Sequence, residues 1–224
     1  MSYPFTLTLQ DKSPVTHDTR RFRFDRPDGF EFEPGQATHM AMDRDGWREQ
    51  DRPFTMVSRP EERDHLEFII KIYPDHDGVT VRLDDLKPGD RVLADDPAGA
   101  ITDHGPGTFL AAGAGITPFI PILDDRALRG EMDGCRLIFS NKTERDIILR
   151  EHWEQMDGLD TVFATDATGD GFPDGPIDVE FLDERLVPGA HVYICGPHGF
   201  VDAMRDAARE LRVAEDRIIV EAGW

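Results

Sequence analysis

The chain has 224 residues, 39% of them apolar and spread along its length, which is enough for two domains of roughly 100–120 residues. A formal net charge of −20 disfavours nonspecific nucleic-acid binding, which requires clustered Lys and Arg. No run reaches the ~18 apolar residues of a membrane span, and no signal peptide is visible. We therefore expect a cytoplasmic protein.

The charged residues comprise 30 Asp, 15 Glu, 21 Arg and 4 Lys. The acidic residues are scattered, which favours a solvated acidic surface over a patch for a basic partner. An Asp-rich, Lys-poor surface resembles those of halophilic proteins, in which salt screens self-repulsion. The two cysteines, Cys135 and Cys195, are too few for a disulfide framework, and the eight His show no metal-ligand spacing, so we predict no metal site.

The first half of the chain has the alternating pattern of short strands broken by turns. One short helix is predicted among them, from Thr80 to Leu86. The predicted strands are Phe5–Leu9, Arg21–Phe24, Ala37–Met42, Leu66–Tyr73 and Arg91–Leu93. Many short strands at even spacing are typical of an antiparallel barrel or sandwich.

In the second half, continuous apolar runs alternate with segments of helical period, such as Pro197–Leu211. This pattern predicts a parallel sheet covered on both faces, that is, a doubly wound α/β domain. The Gly/Pro-rich segment Ala98–Pro106 separates the halves, so we place the domains at residues 1–103 and 104–224. The runs are Phe109–Ala112, Leu137–Phe139, Val162–Ala164, Val192–Ile194 and Ile218–Val220.

Two turns in the second half suit a nucleotide site. Gly113 and Gly115 directly follow a predicted strand and allow close backbone approach, while Thr117 suits the N-cap and Pro118 the first position of the next helix. The third glycine of the usual dinucleotide motif is replaced by Pro118, so this turn alone is equally an ordinary strand–helix connection.

The second turn, Cys195-Gly196-Pro197, ends another strand of the same sheet. Carboxyl ends of parallel strands meet at one edge, so both turns can face one ligand. Cys195 alone is better explained as a small buried residue.

Arg52-Pro53-Phe54-Thr55 places a cation, an aromatic ring and a hydroxyl close together. If this segment is a strand, Arg52 and Phe54 share one face. Arg suits bidentate phosphate contacts, and Phe can stack on an aromatic cofactor. Without further information, Phe54 is a core residue and Arg52 a surface charge.

These three motifs, in this order and spacing, resemble the ferredoxin–NADP reductase-like family, and the resemblance covers nearly the whole chain. It implies a flavin-binding antiparallel Greek-key β-barrel followed by a nicotinamide-binding α/β domain. It also implies that Arg52 holds the flavin phosphate, Phe54 packs on the isoalloxazine and Thr55 bonds near N5. The family usually has Tyr at the position of Phe54.

The resemblance extends to further residues. Residues 77–80, with Gly78, Val79 and Thr80, look like the family's phosphate-binding turn, Thr80 capping the following helix. Thr117 and Cys195 match positions that flank the nicotinamide. Glu221 resembles an acidic residue beside the two rings, and Trp224 resembles a terminal aromatic that lies against the flavin cofactor.

The implied enzyme passes hydride from NADPH or NADH to FAD, and electrons leave for a separate acceptor such as a ferredoxin, a flavodoxin or an oxygenase component. Thr55, Cys195 and Glu221 are its candidate catalytic residues. The alternative is a non-catalytic flavin- or nucleotide-binding subunit of a larger complex.

Residues for coenzyme choice follow the second apolar run of the second half. Ser140, Asn141 and Lys142 stand where the adenosine ribose is expected, and Lys142 or Arg145 could meet a 2′-phosphate. Both cations are equally explained as solvated surface charges. The absence of an acidic residue from Ser140 to Thr143 favours NADPH slightly.

Overall fold

The computed structural model describes residues 3–75, 78–166 and 177–221, which form two sheets. All pairings in the first sheet are antiparallel, in the spatial order β4-β3-β6-β1-β2-β5. Its strands are β1 (Phe5–Pro14), β2 (Thr19–Asp25), β3 (Ala37–Met42), β4 (Arg52–Thr55), β5 (His65–Lys71) and β6 (Arg91–Ala94).

This sheet curls into a nearly closed barrel. Just beyond β4, the Val57 N–H donates to the Glu67 carbonyl of β5 at 2.8 Å, and the Glu67 N–H donates to Ser58 Oγ at 3.0 Å. These bonds connect the two outer strands of the sheet. The antiparallel barrel predicted for the first half is confirmed.

The alternating residues of the strands fill the barrel. Leu7, Phe24 and Phe68 are fully buried, and the Phe24 and Phe68 rings meet edge to face at 5.9 Å. Helix α1 (Val79–Asp84) adds Val79 and Leu83 to this core. The predicted helix was therefore placed one residue late at its start.

The second sheet is parallel throughout, in the order β11-β10-β7-β8-β9. Its strands are β7 (Gly107–Ala112), β8 (Arg136–Asn141), β9 (Asp160–Thr165), β10 (His191–Cys195) and β11 (Ile218–Val220). Its helices are α2 (Phe119–Arg129), α3 (Arg150–Gln155), α4 (Val179–Asp183) and α5 (His198–Glu210).

Helices cover both faces of this sheet. Phe109 of β7 packs with Phe119 of α2 on one face, while its neighbour Leu110 packs with Met204 of α5 on the other. The strands are therefore apolar at successive positions, as expected for a sheet buried on both sides. The doubly wound domain predicted for the second half is confirmed.

The barrel and the parallel sheet share an apolar interface. Val57 and Ile69 of the barrel belong to the same buried cluster as Phe119 and Ile120 of α2. This contact positions the carboxyl edge of the parallel sheet against the barrel. Within the described ranges, no helix has the length and apolar character needed to cross a membrane.

Candidate functional site

The barrel contributes the strand β4 to the site. Arg52 lies opposite Met40, and Thr55 lies opposite Ala37 on β3. Arg52 is exposed, and its guanidinium donates to the Asp51 carbonyl at 2.6 Å without forming an ion pair to any described residue. In a chain of net charge −20, this unpaired cation is suited to bind an anion.

The next two side chains of β4 are half-buried. Phe54 packs against the barrel core but keeps part of its surface exposed, and the hydroxyl of Thr55 has no hydrogen-bond partner among the described residues. Pro53, opposite His39, is half-buried as well. The strand therefore presents a cation, an aromatic ring and a free hydroxyl.

The predicted cap of α1 is wrong in detail. Gly78 occupies the N-cap position in extended backbone, and Val79 is already helical and buried. Thr80 therefore lies inside the first turn, where its hydroxyl accepts from the Tyr73 N–H at 3.4 Å. Asp77, proposed as part of the same turn, lies outside the described residues.

The turn after β7 also differs from the prediction. Residues Gly113–Ile116 form a 3-10 turn, and α2 begins only at Phe119. The Thr117 hydroxyl donates back to the Ala114 carbonyl at 3.0 Å, so it does not cap α2. Pro118, not Thr117, stands at the N-cap position, because the extra 3-10 turn moves the helix start along the chain.

The two predicted glycine turns meet directly. A Cβ on Gly115 would lie 2.2 Å from the Cys195 carbonyl oxygen, and a Cβ on Gly196 would lie 2.9 Å from both Ala112 Cβ and Phe200 Cδ1. No side chain can therefore replace either glycine without moving backbone or core. Pro197 follows as the N-cap residue of α5.

Glu221 is anchored across the domain border. Its carboxylate accepts from the Ala100 N–H at 2.9 Å and 3.1 Å, and from the Ile101 N–H at 3.4 Å. Gly99 reaches positive φ beside it, and a Cβ there would lie 3.0 Å from Glu221 Oε2. The end of the second domain is thus tied to the loop that follows the barrel.

The carboxylate of Glu221 also affects the pKa of Cys195. Burial of the thiol, and secondarily the negative charge of Glu221, raise the pKa of Cys195 to about 12. The thiol is therefore neutral at physiological pH and is not a nucleophile. Cys195 and Glu221, two of the three candidate catalytic residues, lie together.

The third candidate, Thr55, lies across the barrel edge from this pair. Ala37, its partner on β3, exchanges two backbone hydrogen bonds with Ala98 at 2.9 Å, immediately before the loop that holds Glu221. Trp224, the remaining C-terminal candidate, lies outside the described residues.

The coenzyme residues predicted after β8 lie at the same sheet edge. Ser140 stands opposite Ala112, directly before Gly113. Asn141 is buried, and its Oδ1 has no hydrogen-bond partner among the described residues. Lys142 and Arg145 are exposed and form no ion pair with any described carboxylate.

Sequence reasoning missed Asp166 at this edge. It directly follows β9, and its N–H donates to the Asn141 carbonyl at 3.1 Å. A carboxylate that follows an adjacent strand of a nucleotide-binding sheet suits a ribose hydroxyl. The available signal was an acidic residue immediately after the apolar run Val162–Ala164.

The residues present fit FAD and a nicotinamide nucleotide. Among the described residues Arg52 has no ion-pair partner and the Thr55 hydroxyl has no hydrogen-bond partner, and Gly115 crosses Cys195 without a side chain between them. An unpartnered amide oxygen on Asn141 and two unpaired cations mark the nucleotide side. Arg52, Phe54 and Thr55 would hold the flavin, and the carboxyl edge of the parallel sheet the nucleotide.

Two family models match the chain in succession. The model of the oxidoreductase FAD-binding domain matches residues 6–102, and that of the oxidoreductase NAD-binding domain matches residues 109–206. NADH-cytochrome b5 reductase 1 of Bos taurus is 30% identical over 86% of this chain and 77% of its own length. NADH-cytochrome b5 reductase 2 of Mycosarcoma maydis is 28% identical, and this chain spans 63% of that protein's length.

Solved structures give the same picture. The CS-b5R domains of human Ncb5or in the NAD+ form are 29% identical, with a TM-score of 0.83 over 96% of this chain and 68% of that one. A ferredoxin NADP+ reductase from Neisseria gonorrhoeae, solved with bound FAD and NADP, shares the fold at 21% identity, with a TM-score of 0.82 over 95% of this chain and 93% of that one. The chain belongs to the ferredoxin–NADP reductase-like family of flavoprotein reductases that use FAD and NAD(P).

Proposed function

We propose that this chain is an NADH-dependent reductase that delivers electrons through FAD to a separate protein acceptor, such as a haem protein of the cytochrome b5 type. The convergence of Gly115, Cys195 and Glu221 at the border of the two domains carries the proposal. Bound FAD would take hydride from the nicotinamide and release electrons to the acceptor.

The residues of the chain position these reactants. Gly115 and Gly196 allow the turns after β7 and β10 to pack without side chains between them. Cys195 offers a neutral, polarizable surface to a flat ring, because its raised pKa keeps it protonated. Glu221 keeps a fixed negative charge at the border, since three backbone N–H contacts hold its carboxylate.

The choice of NADH rests on Asp166 and on the relatives. Asp166 stands beside Asn141, where a carboxylate accepts from a free ribose hydroxyl and repels a 2′-phosphate. The relatives from Bos taurus and Mycosarcoma maydis are NADH-dependent by name. Lys142 and Arg145 favour a phosphate at the same edge, and the coenzyme's pyrophosphate can satisfy them.

The acceptor is proposed from the relatives' names, which specify cytochrome b5. A ferredoxin, a flavodoxin or an oxygenase component would draw on the same flavin, so each belongs in the same assay.

The test begins with the FAD-loaded protein under anaerobic conditions. Addition of NADH is expected to bleach the flavin absorbance, and cytochrome b5 is then expected to restore it faster than ferredoxin or flavodoxin. Bleaching without discharge to any protein acceptor would leave the hydride step intact and refute the acceptor. If neither NADH nor NADPH bleaches the flavin absorbance of the FAD-loaded protein, the result would instead favour a non-catalytic subunit.

A further inference from the structure

Four ionisable side chains form a cluster between the barrel and the parallel-sheet domain. Lys71 Nζ, at the end of β5, lies 2.9 Å from Asp18 Oδ2 and 3.6 Å from Asp146 Oδ1. His17 Nε2 lies 3.6 Å from each of the same two carboxylates. Asp146 is the only one of these four side chains that belongs to the second domain.

Asp146 is buried, with 8% of its surface exposed, and its two oxygens face different partners. Oδ2 accepts from both the backbone N–H and the hydroxyl of Thr143, at 3.0 Å and 2.5 Å. Oδ1 faces Lys71 and His17 of the barrel. One carboxylate therefore joins the barrel to the residue that ends the segment Ser140–Thr143.

Two members of the cluster, Lys71 and Asp18, hold their charges near neutral pH. Burial disfavours the ammonium of Lys71, but its bond to Asp18 and the charges of Asp18 and Asp146 outweigh this and raise its pKa. Burial likewise opposes ionisation of Asp18, yet the bonds from Lys71 and Thr16 hold its pKa below the usual value. Lys71 therefore presents a full positive charge to Asp146 across the domain border.

A metal ion is a weaker explanation of the cluster. The ligand atoms of His17, Asp18 and Asp146 lie within 4.8 Å of one another. The Lys71 ammonium, however, already contacts both carboxylates and supplies the positive charge that they need.

We infer that Asp146 is a positioning residue, which together with Lys71 fixes the coenzyme segment Ser140–Thr143 relative to the flavin barrel. The inference rests on the proposed function, because it assigns that segment to the coenzyme. A segment held to both domains is pre-organised to receive the coenzyme beside the flavin, so less conformational freedom is lost when the coenzyme binds. Asp146 acts through Thr143, since its oxygens are occupied by protein groups.

The test uses Asp146→Asn and Lys71→Met, singly and together, in the FAD-loaded chain. The amide oxygen of the first variant can still accept from Thr143, so Asp146→Asn removes mainly the contact between domains. Lys71→Met removes the same contact together with the ion pair from Lys71 to Asp18 within the barrel. Each single variant is expected to raise the KM for NADH about tenfold and to change kcat less than about twofold, because ground-state positioning of the coenzyme is lost. The KM of the double variant is expected to resemble those of the single variants, since each single change already removes the contact between Lys71 and Asp146.

Two further variants separate positioning from general stability. Asp84→Asn breaks ion pairs to Lys12 and Arg20 that lie within the barrel alone, and its KM should match that of the wild type. Lys71→Arg keeps the charge and should restore most of the lost coenzyme affinity. An unchanged KM in Asp146→Asn, or a double variant whose effect is the product of the single effects, would overturn the inference.

Thermal unfolding of the wild type, the two single variants Asp146→Asn and Lys71→Met, and the double variant tests the contact without turnover. The loss of melting temperature in the double variant should be smaller than the sum of the single losses. If the wild type oxidises no NADH, the proposed function fails, while this cycle still decides whether Asp146 and Lys71 are coupled. Additive losses would refute the coupling.

Discussion

The carboxylate of Glu221 accepts two contacts from the Ala100 N–H, at 2.9 Å and 3.1 Å, although the residues are 121 positions apart. Ala100 belongs to the loop after the barrel, and Glu221 directly follows the last strand of the parallel sheet. The contact therefore joins the loop after the barrel to the end of the second domain. It also fixes a negative charge close enough to Cys195 to raise the pKa of that thiol.

Glu221→Gln should make Cys195 more acidic. Burial, the larger cause of the raised pKa, remains, but the charge of Glu221 is removed, so the pKa falls from about 12 while staying above that of a free thiol. The expected result is faster disulfide exchange with a chromogenic reagent at alkaline pH, measured as a rate–pH profile. Glu215→Gln removes one charge from an exposed pair with Arg209 and should leave the profile unchanged.

The wild type provides the baseline for that experiment. Both cysteines are free, Cys135 being buried and Cys195 protonated. Neither should react in the folded protein near neutral pH, because Cys135 is buried and the raised pKa of Cys195 leaves little thiolate, which is the nucleophile. Both should react after unfolding. Rapid labelling of Cys195 in the folded chain at neutral pH, located by peptide mapping, would contradict the raised pKa.

The two glycine turns were predictable from sequence because their signal is local. Gly113 and Gly115 follow an apolar strand, as does Gly196, and parallel strands bring such turns to one edge. The predicted N-cap role of Thr117 was wrong, because Thr suits a helix start and a 3-10 turn equally well and the sequence does not distinguish them.

Contacts between the domains carried no sequence signal. Lys71 and Asp146 look like ordinary surface charges in a chain of 45 acidic residues, and they meet because the two domains pack together, in part through Val57 and Ile69 on α2. Asp166 was missed for a related reason. It lies near the coenzyme segment because β9 pairs with β8, and this pairing is not visible in the sequence.

Gly115→Ala should destabilise the protein and weaken coenzyme binding. The added Cβ would lie 2.2 Å from a backbone oxygen, and relief requires the turns after β7 and β10 to separate. Overpacking of this kind costs about 1–3 kcal/mol. A lower melting temperature and a raised KM for NADH are expected. Gly199→Ala is the matched control: a Cβ there meets nothing within 4 Å, so stability should change by less than about 1 kcal/mol.

Arg52→Ala should weaken FAD binding without destabilising the apoprotein. Arg52 has no ion pair among the described residues, so its loss should change the free energy of unfolding by less than about 0.5 kcal/mol. A hydrogen bond to a charged phosphate contributes about 1.5–3 kcal/mol, so the dissociation constant for FAD should rise roughly 10- to 100-fold. Fluorescence titration of apoprotein with FAD measures it.

Arg91→Ala controls for the loss of charge, because Arg91 lies 2.8 Å from Asp43 and is not part of the proposed site. Its FAD affinity should equal that of the wild type. Equal weakening in both variants would mean that Arg52 acts only through the net charge.

Added salt should stabilise the chain near neutral pH. A net charge of −20 is self-repelling, and salt shortens the range of that repulsion to about 3 Å at 1 M. The melting temperature is expected to rise by about 4 °C between 0.1 M and 1 M KCl, the shift that corresponds to about 1 kcal/mol in a chain of this size. The effect should shrink towards pH 4.6, where the net charge vanishes. A melting temperature that falls with salt at neutral pH would show that ion pairs outweigh the repulsion.

Asp166 and Lys142 should shift coenzyme preference in opposite directions. Asp166→Ala removes a carboxylate that repels a 2′-phosphate, so the ratio of kcat/KM for NADH to that for NADPH should fall about tenfold. Lys142→Ala removes a cation that attracts phosphate, so the same ratio should rise or stay constant. The measurement is steady-state reduction of ferricyanide with each coenzyme. Because Lys142 has no ion pair among the described residues, its removal leaves no carboxylate unpaired, and a fall of the ratio in both variants would contradict the assignment.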